Sequence, residues 1–249
     1  MSTKKLSSTI TTTATATPPP LKHPKDYSTF KNFPSTRGAM DEGKALQITG
    51  GLSSPSKMPC KAYSIPAKHC KVGAKLRKIL NSTCRICYAF RNNFNYPNVV
   101  NAMARRYKAI KHKRWVEAMV YLIKCDGNQF FRWHDSGDLQ SFEHLDRICQ
   151  IATILPNVSF WLPSREYKLI GDYIAQGGTI PPNLTIRLSA YMIDGELPLT
   201  IADKLGAVVS GVTRLEGVAT CPAPKQGHKC LDCRKCWDKK ERIVIYGAH

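Results

Sequence analysis

Cys221, Cys230, Cys233 and Cys236 place four thiols within sixteen residues near the end of the chain, with His228 among them. Thiolates this close in sequence can close around one tetrahedral ion or one iron–sulfur cluster without help from distant segments. The fold is therefore expected to carry a metal-bound loop as well as an apolar core. A looser group, Cys60, Cys70, Cys84 and Cys87, lies in the first third, where only Cys84-x-x-Cys87 has close ligand spacing. Cys125 and Cys149 fall singly in apolar helical patterns and read as core residues.

The rival reading of ten cysteines is a disulfide framework. Met1–Leu21 is rich in Ser, Thr and Pro, bears lysines and lacks a hydrophobic run, so no secretory signal is expected. A chain of 249 residues can also bury a full core without staples. Reduced, metal-bound cysteines in a cytoplasm are the expectation. No stretch reaches the about 20 apolar residues of a membrane span.

Lys and Arg number 37 against 18 Asp and Glu, a formal net charge of +19. So basic a chain expects a polyanion, with DNA favoured over RNA. A basic tail does not explain the distribution. Arg105, Arg106, Lys108, Lys111, Lys113 and Arg114 crowd one predicted helix, and further lysines and arginines flank both cysteine groups. A phosphate backbone lying across those groups would account for this placement.

Residues 1–43 read as a disordered basic arm, because Thr11–Pro20 is Thr/Ala/Pro of low complexity that buries too little to offset ordering entropy. Residues 44–249 read as one α/β barrel-like domain. Strands are predicted at Ala45–Thr49, Gln129–Trp133, Val158–Leu162, Leu184–Ser189, Ala207–Val212 and Ile243–Tyr246. Helical spacing covers Asn98 to about Lys124, Phe142–Leu155, Tyr167–Gln176 and Leu199–Leu205. Strand–loop–helix units of this kind predict a parallel sheet, as an incomplete (β/α) TIM-like barrel with cysteine-rich loops, or second as a doubly wound sheet.

In such sheets functional groups gather where strands end. His134-Asp-Ser-Gly-Asp138 follows one predicted strand, and Ser164-Arg-Glu166 follows the next. Asp135 and Asp138 could act as a carboxylate pair, one ionised and one with a raised pKa, unless Asp138 or Ser141 merely caps the following helix. His134 is a candidate ligand or proton shuttle, or a core histidine. Arg165 could clamp an oxyanion, with Ser136 and Glu166 beside it as substrate contacts.

The ordered set Cys60…Cys70…Cys84-Arg-Ile-Cys87-Tyr-Ala, Phe131-Arg-Trp-His-Asp-Ser-Gly-Asp-Leu139, Cys221-Pro-Ala…Cys230-x-x-Cys233-x-x-Cys236-Trp237 and His249 resembles the phage "gene product 88" domain family. Two better-understood groups are similar in part. Asp135-Ser-Gly-Asp-Leu-Gln140 resembles the signature of the guanine-exchanging transglycosylases, barrel enzymes that insert a 7-deazaguanine base into nucleic acid. That likeness implies Zn2+ on Cys230, Cys233, Cys236 and His249 or Cys221. It also implies a small modified base as second substrate and Asp135 on the base beside an attacking carboxylate. Cys84-x-x-Cys87 followed by Ser136-Gly-Asp138 is similar in order to the radical S-adenosylmethionine barrels. That likeness implies a [4Fe-4S] cluster with S-adenosylmethionine, and an auxiliary cluster on Cys221, Cys230, Cys233 and Cys236. DNA base exchange is the leading expectation, radical chemistry the alternative, and a non-catalytic metal-stapled DNA-binding protein the third.

Overall fold

The computed structural model describes residues 39–248. Most of the predicted arm, and the candidate ligand His249, lie outside the described residues. Six strands pair in chain order, every pairing parallel: β1 (Ala62–Tyr63), β2 (Phe130–Trp133), β3 (Ser159–Ser164), β4 (Leu184–Ile193), β5 (Val208–Thr213) and β6 (Ile243–Gly247). Sheet order thus never reverses, which leaves no switch point of the doubly wound kind. Strands β1 and β6 are its edges.

Four helices lead up to β2: α1 (Glu42–Thr49), α2 (Lys71–Leu76), α3 (Pro97–Ala109) and α4 (Trp115–Asp126). Helices α5 (Phe142–Ile154), α6 (Tyr167–Ala175) and α7 (Leu199–Leu205) then alternate with the strands. Strand alternation sorts the side chains. Phe131, Trp133, Phe160, Leu162, Leu184, Ile186, Leu188 and Val209 pack with Trp115, Met119, Leu145, Ile148 and Ile170 of the helices. Phe130 and Trp161 go instead to a second cluster with Cys60 and Trp237 on the far face. The aromatic residues of β2 and β3 are therefore divided between two clusters.

Several expectations change. Ala45–Thr49 is not a strand but the end of α1, because the Asp41 side chain accepts from Lys44 N–H at 2.8 Å and Gly50 closes the helix in the left-handed region. The helix begins at Glu42, inside the span 1–43 that the sequence assigns to an arm. The missing first strand is Ala62–Tyr63, two residues long and too short to show a period. The helix expected over Asn98–Lys124 breaks in two at the basic turn Ile110–Arg114. Cys149 is buried as expected, whereas Cys125 is exposed at the end of α4. Ser141, not Asp138, caps α5, accepting from His144 N–H at 3.2 Å.

His134 and His144 are buried edge to face, their rings 5.1 Å apart. Burial holds His144 neutral, with its pKa pushed down to about 3, and lowers that of His134, with His144 beside it adding to the effect. In the unfolded chain both would titrate near about 6.5. Below that pH the unfolded chain takes up protons that the fold refuses, so stability falls with acidity by up to about 1.4 kcal/mol per pH unit per histidine. Urea midpoints at neutral and mildly acidic pH should therefore differ, and His144→Gln should shrink the difference.

Candidate functional site

At the C-terminal edge of the strands the β2 loop is locked to the exit of β1. Ile65 N–H donates to the Ser136 carbonyl at 2.9 Å, and Ser136 Oγ donates to the Ile65 carbonyl at 3.0 Å. Gly137, at φ +95°, lies so close that an added Cβ would sit 2.2 Å from Ile65 Cγ1. Only glycine fits there.

Asp138 joins this loop to β3. Its carboxylate accepts from Ser164 Oγ at 2.7 Å, Arg165 N–H at 2.9 Å and Leu139 N–H at 2.7 Å. Burial still pushes its pKa up to about 6, against those three donors and with Glu166 nearby. Asp135 is also buried, but its carboxylate turns the other way, accepting from Ser64 Oγ in a short bond and from Ser53 Oγ at 3.4 Å. The two expected partners thus bind opposite neighbours of β2. His134 turns into the buried histidine pair, where neither ring nitrogen has a hydrogen-bond partner.

The same edge gathers three thiols. Glu166 accepts from Val72 N–H at 2.9 Å in the first turn of α2, whose N-cap is Cys70. Residues 81–83 run antiparallel to the end of β4, Thr83 N–H donating to the Tyr191 carbonyl at 2.9 Å and Ile193 N–H to the Asn81 carbonyl at 2.8 Å. This pairing carries Cys84 to the edge, and Cys87 N–H donates back to Cys84 at 3.3 Å. Gly73 marks where the sulfurs approach. A Cβ there would lie 3.5 Å from Cys84 Sγ and 3.8 Å from Cys70 Sγ. Burial pushes both thiols up, while the Arg165 guanidinium, within electrostatic reach, opposes the rise.

Cys60, expected with these three, lies elsewhere. It packs beside Trp161 and Trp237 on the far face, near the C-terminal group. Cys230 N–H donates to the Lys57 carbonyl at 3.0 Å, and its sulfur is 4.0 Å from Met58 Sδ. Cys221 N–H donates to Ile245 of β6 at 3.0 Å, and Cys236 Sγ is 3.2 Å from Tyr246 Oη. All ten cysteines are free thiols. Fully buried Arg187 sews this segment to the sheet, donating to the carbonyls of Val209, Lys235, Asp238 and Glu241 at 2.8–3.3 Å. Trp237 Nε1 adds a bond to the Phe131 carbonyl at 2.9 Å.

Between the two thiol groups stands Arg132. Its guanidinium donates to Tyr88 Oη at 3.3 Å, next to Cys87, and to Met58 Sδ at 3.6 Å, and lies 4.4 Å over the Trp161 ring. Arg132, Tyr88, Ser64 and Arg187 were not singled out from the sequence. A usable signal existed for the arginines, since each is a lone charge within an aromatic or apolar strand.

The basic helix divides. Arg105, Lys108, Lys111 and Lys113 are exposed. Arg106 is buried instead, donating to the carbonyls of Gly51 at 2.8 Å and Leu52 at 2.9 Å, so it ties α3 to the α1 loop and cannot face a ligand. Among the described residues no three His, Cys, Asp or Glu side chains are placed so as to hold a metal ion. The donor sets are nevertheless soft and thiol-rich, the chemistry that suits zinc or an iron–sulfur cluster.

A parallel α/β protein with paired thiol groups, one at the strand ends and one on the far face, is the class these features define. The chain belongs to the gene product 88 family, whose model matches residues 30–239. No curated protein and no solved structure matches it. Among the described residues no helix is long and apolar enough to cross a membrane.

Gly137→Ala combines strain at positive φ with a clash against Ile65, costing about 1–3 kcal/mol. Asp138→Ala leaves three donors unpaired and costs at least about as much. Both should lower the chemical denaturation midpoint, whereas Ser141→Ala, a single lost cap, should cost about 1 kcal/mol.

Proposed function

We propose that the chain is a metal-containing enzyme that modifies nucleic acid, with its chemistry at the C-terminal edge of a part-barrel sheet. The observation that carries this reading is the approach of Cys70 and Cys84 over Gly73, with Cys87 one turn away and Arg165 alongside. Cys70, Cys84 and Cys87 would hold an iron–sulfur cluster. Three thiolates leave one iron of a four-iron cluster free of protein ligands, and with S-adenosylmethionine such a cluster supplies one-electron chemistry that starts radical reactions.

The chain's own residues prepare this edge. Glu166 holds the helix that begins at Cys70, and Asp138 fixes the β2 and β3 loops against each other. Arg165 has no acidic partner within ion-pair distance among the described residues and offers its guanidinium to a carboxylate or phosphate. Base exchange by paired aspartates draws less support, because Asp138 spends its oxygens on three donors and Asp135 faces β1. Exposed Arg105, Lys108, Lys111 and Lys113 would meet the phosphate backbone, DNA before RNA, and a target base in a duplex would be flipped out at about a few kcal/mol.

Anaerobic reconstitution with iron and sulfide should yield brown protein with a reducible cluster whose electron paramagnetic resonance changes when S-adenosylmethionine is added. Cys84→Ser and Cys87→Ser should abolish that change. Colourless protein that takes up only zinc would end this reading. In a separate measurement, Lys108→Ala with Lys111→Ala should weaken DNA binding for all sequences alike and flatten its salt dependence by about 1 per lost phosphate contact. Arg106→Ala should lower stability instead.

A further inference from the structure

The geometry points to a stacking platform for an unpaired nucleic-acid strand in residues 88–96, directly after Cys87. The platform names the substrate class of the function proposed above, and rests on its nucleic-acid partner rather than on its cluster. Two 3-10 turns, Tyr88–Phe90 and Asn92–Asn95, connect Cys87 to Tyr96 at the start of α3. They place four aromatic rings within nine residues, and Tyr88 and Tyr96 are 50% and 56% exposed. The Tyr88 hydroxyl is fixed from the inside, donating to the Asp135 carbonyl and accepting from Arg132 at 3.3 Å. Phe94 lies 5.5 Å from the Tyr88 ring and tilted against it. Asn95 Nδ2 closes the loop by donating to the Phe90 carbonyl at 3.1 Å, and the Arg77 guanidinium lies 3.8 Å over the Phe90 ring. Rings held this way can stack on a base at little ordering cost.

Charge selects the partner. No Asp or Glu occurs between Glu42 and Glu117, a stretch that holds the whole platform and α3. Arg85 and Arg91, on either side of Tyr88, are exposed, and Arg77 is half-buried. Among the described residues none of the three has a carboxylate within ion-pair distance. Such a surface draws a phosphate backbone to rings that its bases can cover. A duplex keeps its bases stacked on one another and would offer these rings only sugar and phosphate, so the fitting ligand is a single strand. An unpaired strand also brings a base towards Cys87 without the cost of extruding it from a helix.

Fluorescence anisotropy with the full chain tests this on labelled oligothymidylate, oligouridylate and a duplex of equal length. At least one single strand should bind more tightly than the duplex, and the two strands separate DNA from RNA. Tyr96→Leu should weaken single-strand binding at least about fivefold and leave duplex binding unchanged. Tyr88→Phe keeps the ring and should keep the affinity, whereas Tyr88→Leu should lose it. Should Tyr88→Leu fail to fold, Tyr96→Trp decides, because the chain's four tryptophans are all buried. The added indole should be quenched by the single strand. Tighter binding to the duplex, or single-strand affinity indifferent to Tyr96→Leu, would overturn the platform while leaving a nucleic-acid partner in place. Binding to none of the three would overturn both.

Discussion

Parallel pairing in chain order governs the rest of the molecule. When each new strand adds beside the last and in the same sense, every loop leaving a strand's C-terminal end falls on one edge. That constraint lets residues as distant as Cys70, Asp138, Arg165 and Tyr191 become neighbours, although no short motif contains them. The Asp138 carboxylate then fixes their relation, since one buried group accepting from both loops leaves neither free to shift alone.

The far face obeys a different rule. A sheet with helices on one side must cover the other, and here the C-terminal segment does so. Its attachment is polar as much as apolar, because Arg187 takes its partners from backbone carbonyls and Trp237 donates into β2. A buried guanidinium whose two terminal nitrogens donate to carbonyls holds a loop in place without the matched carboxylate that an ion pair would need. The segment carrying Cys221, Cys230 and Cys233 is thus positioned by groups that lie outside the cysteine motif.

Much of the fold was legible from alternation and caps. Strands β2 to β6 and helices α5 to α7 lie close to where apolar spacing and the turns between them place them. Failures came where the signal was short or two-sided. Strand β1 spans two residues, and α1 has the apolar content of a strand but is decided by Asp41 and Gly50 at its ends. Of the candidate site, the loops at 134–138 and 164–166 were legible as strand ends. Their hydrogen bonding was not, since nothing in Asp-Ser-Gly-Asp says which carboxylate turns towards β1 and which towards β3.

The sequence by itself determined the parallel α/β class, the two concentrations of thiols and the excess of positive charge, for these rest on local period and composition. Only the tertiary structure decided that Cys60 leaves its sequence neighbours for the far face, that Arg106 is buried, and that Arg132 stands between the thiol groups. Such choices depend on which strands lie side by side. That order comes from packing the whole sheet, and spacing along the chain carries no trace of it.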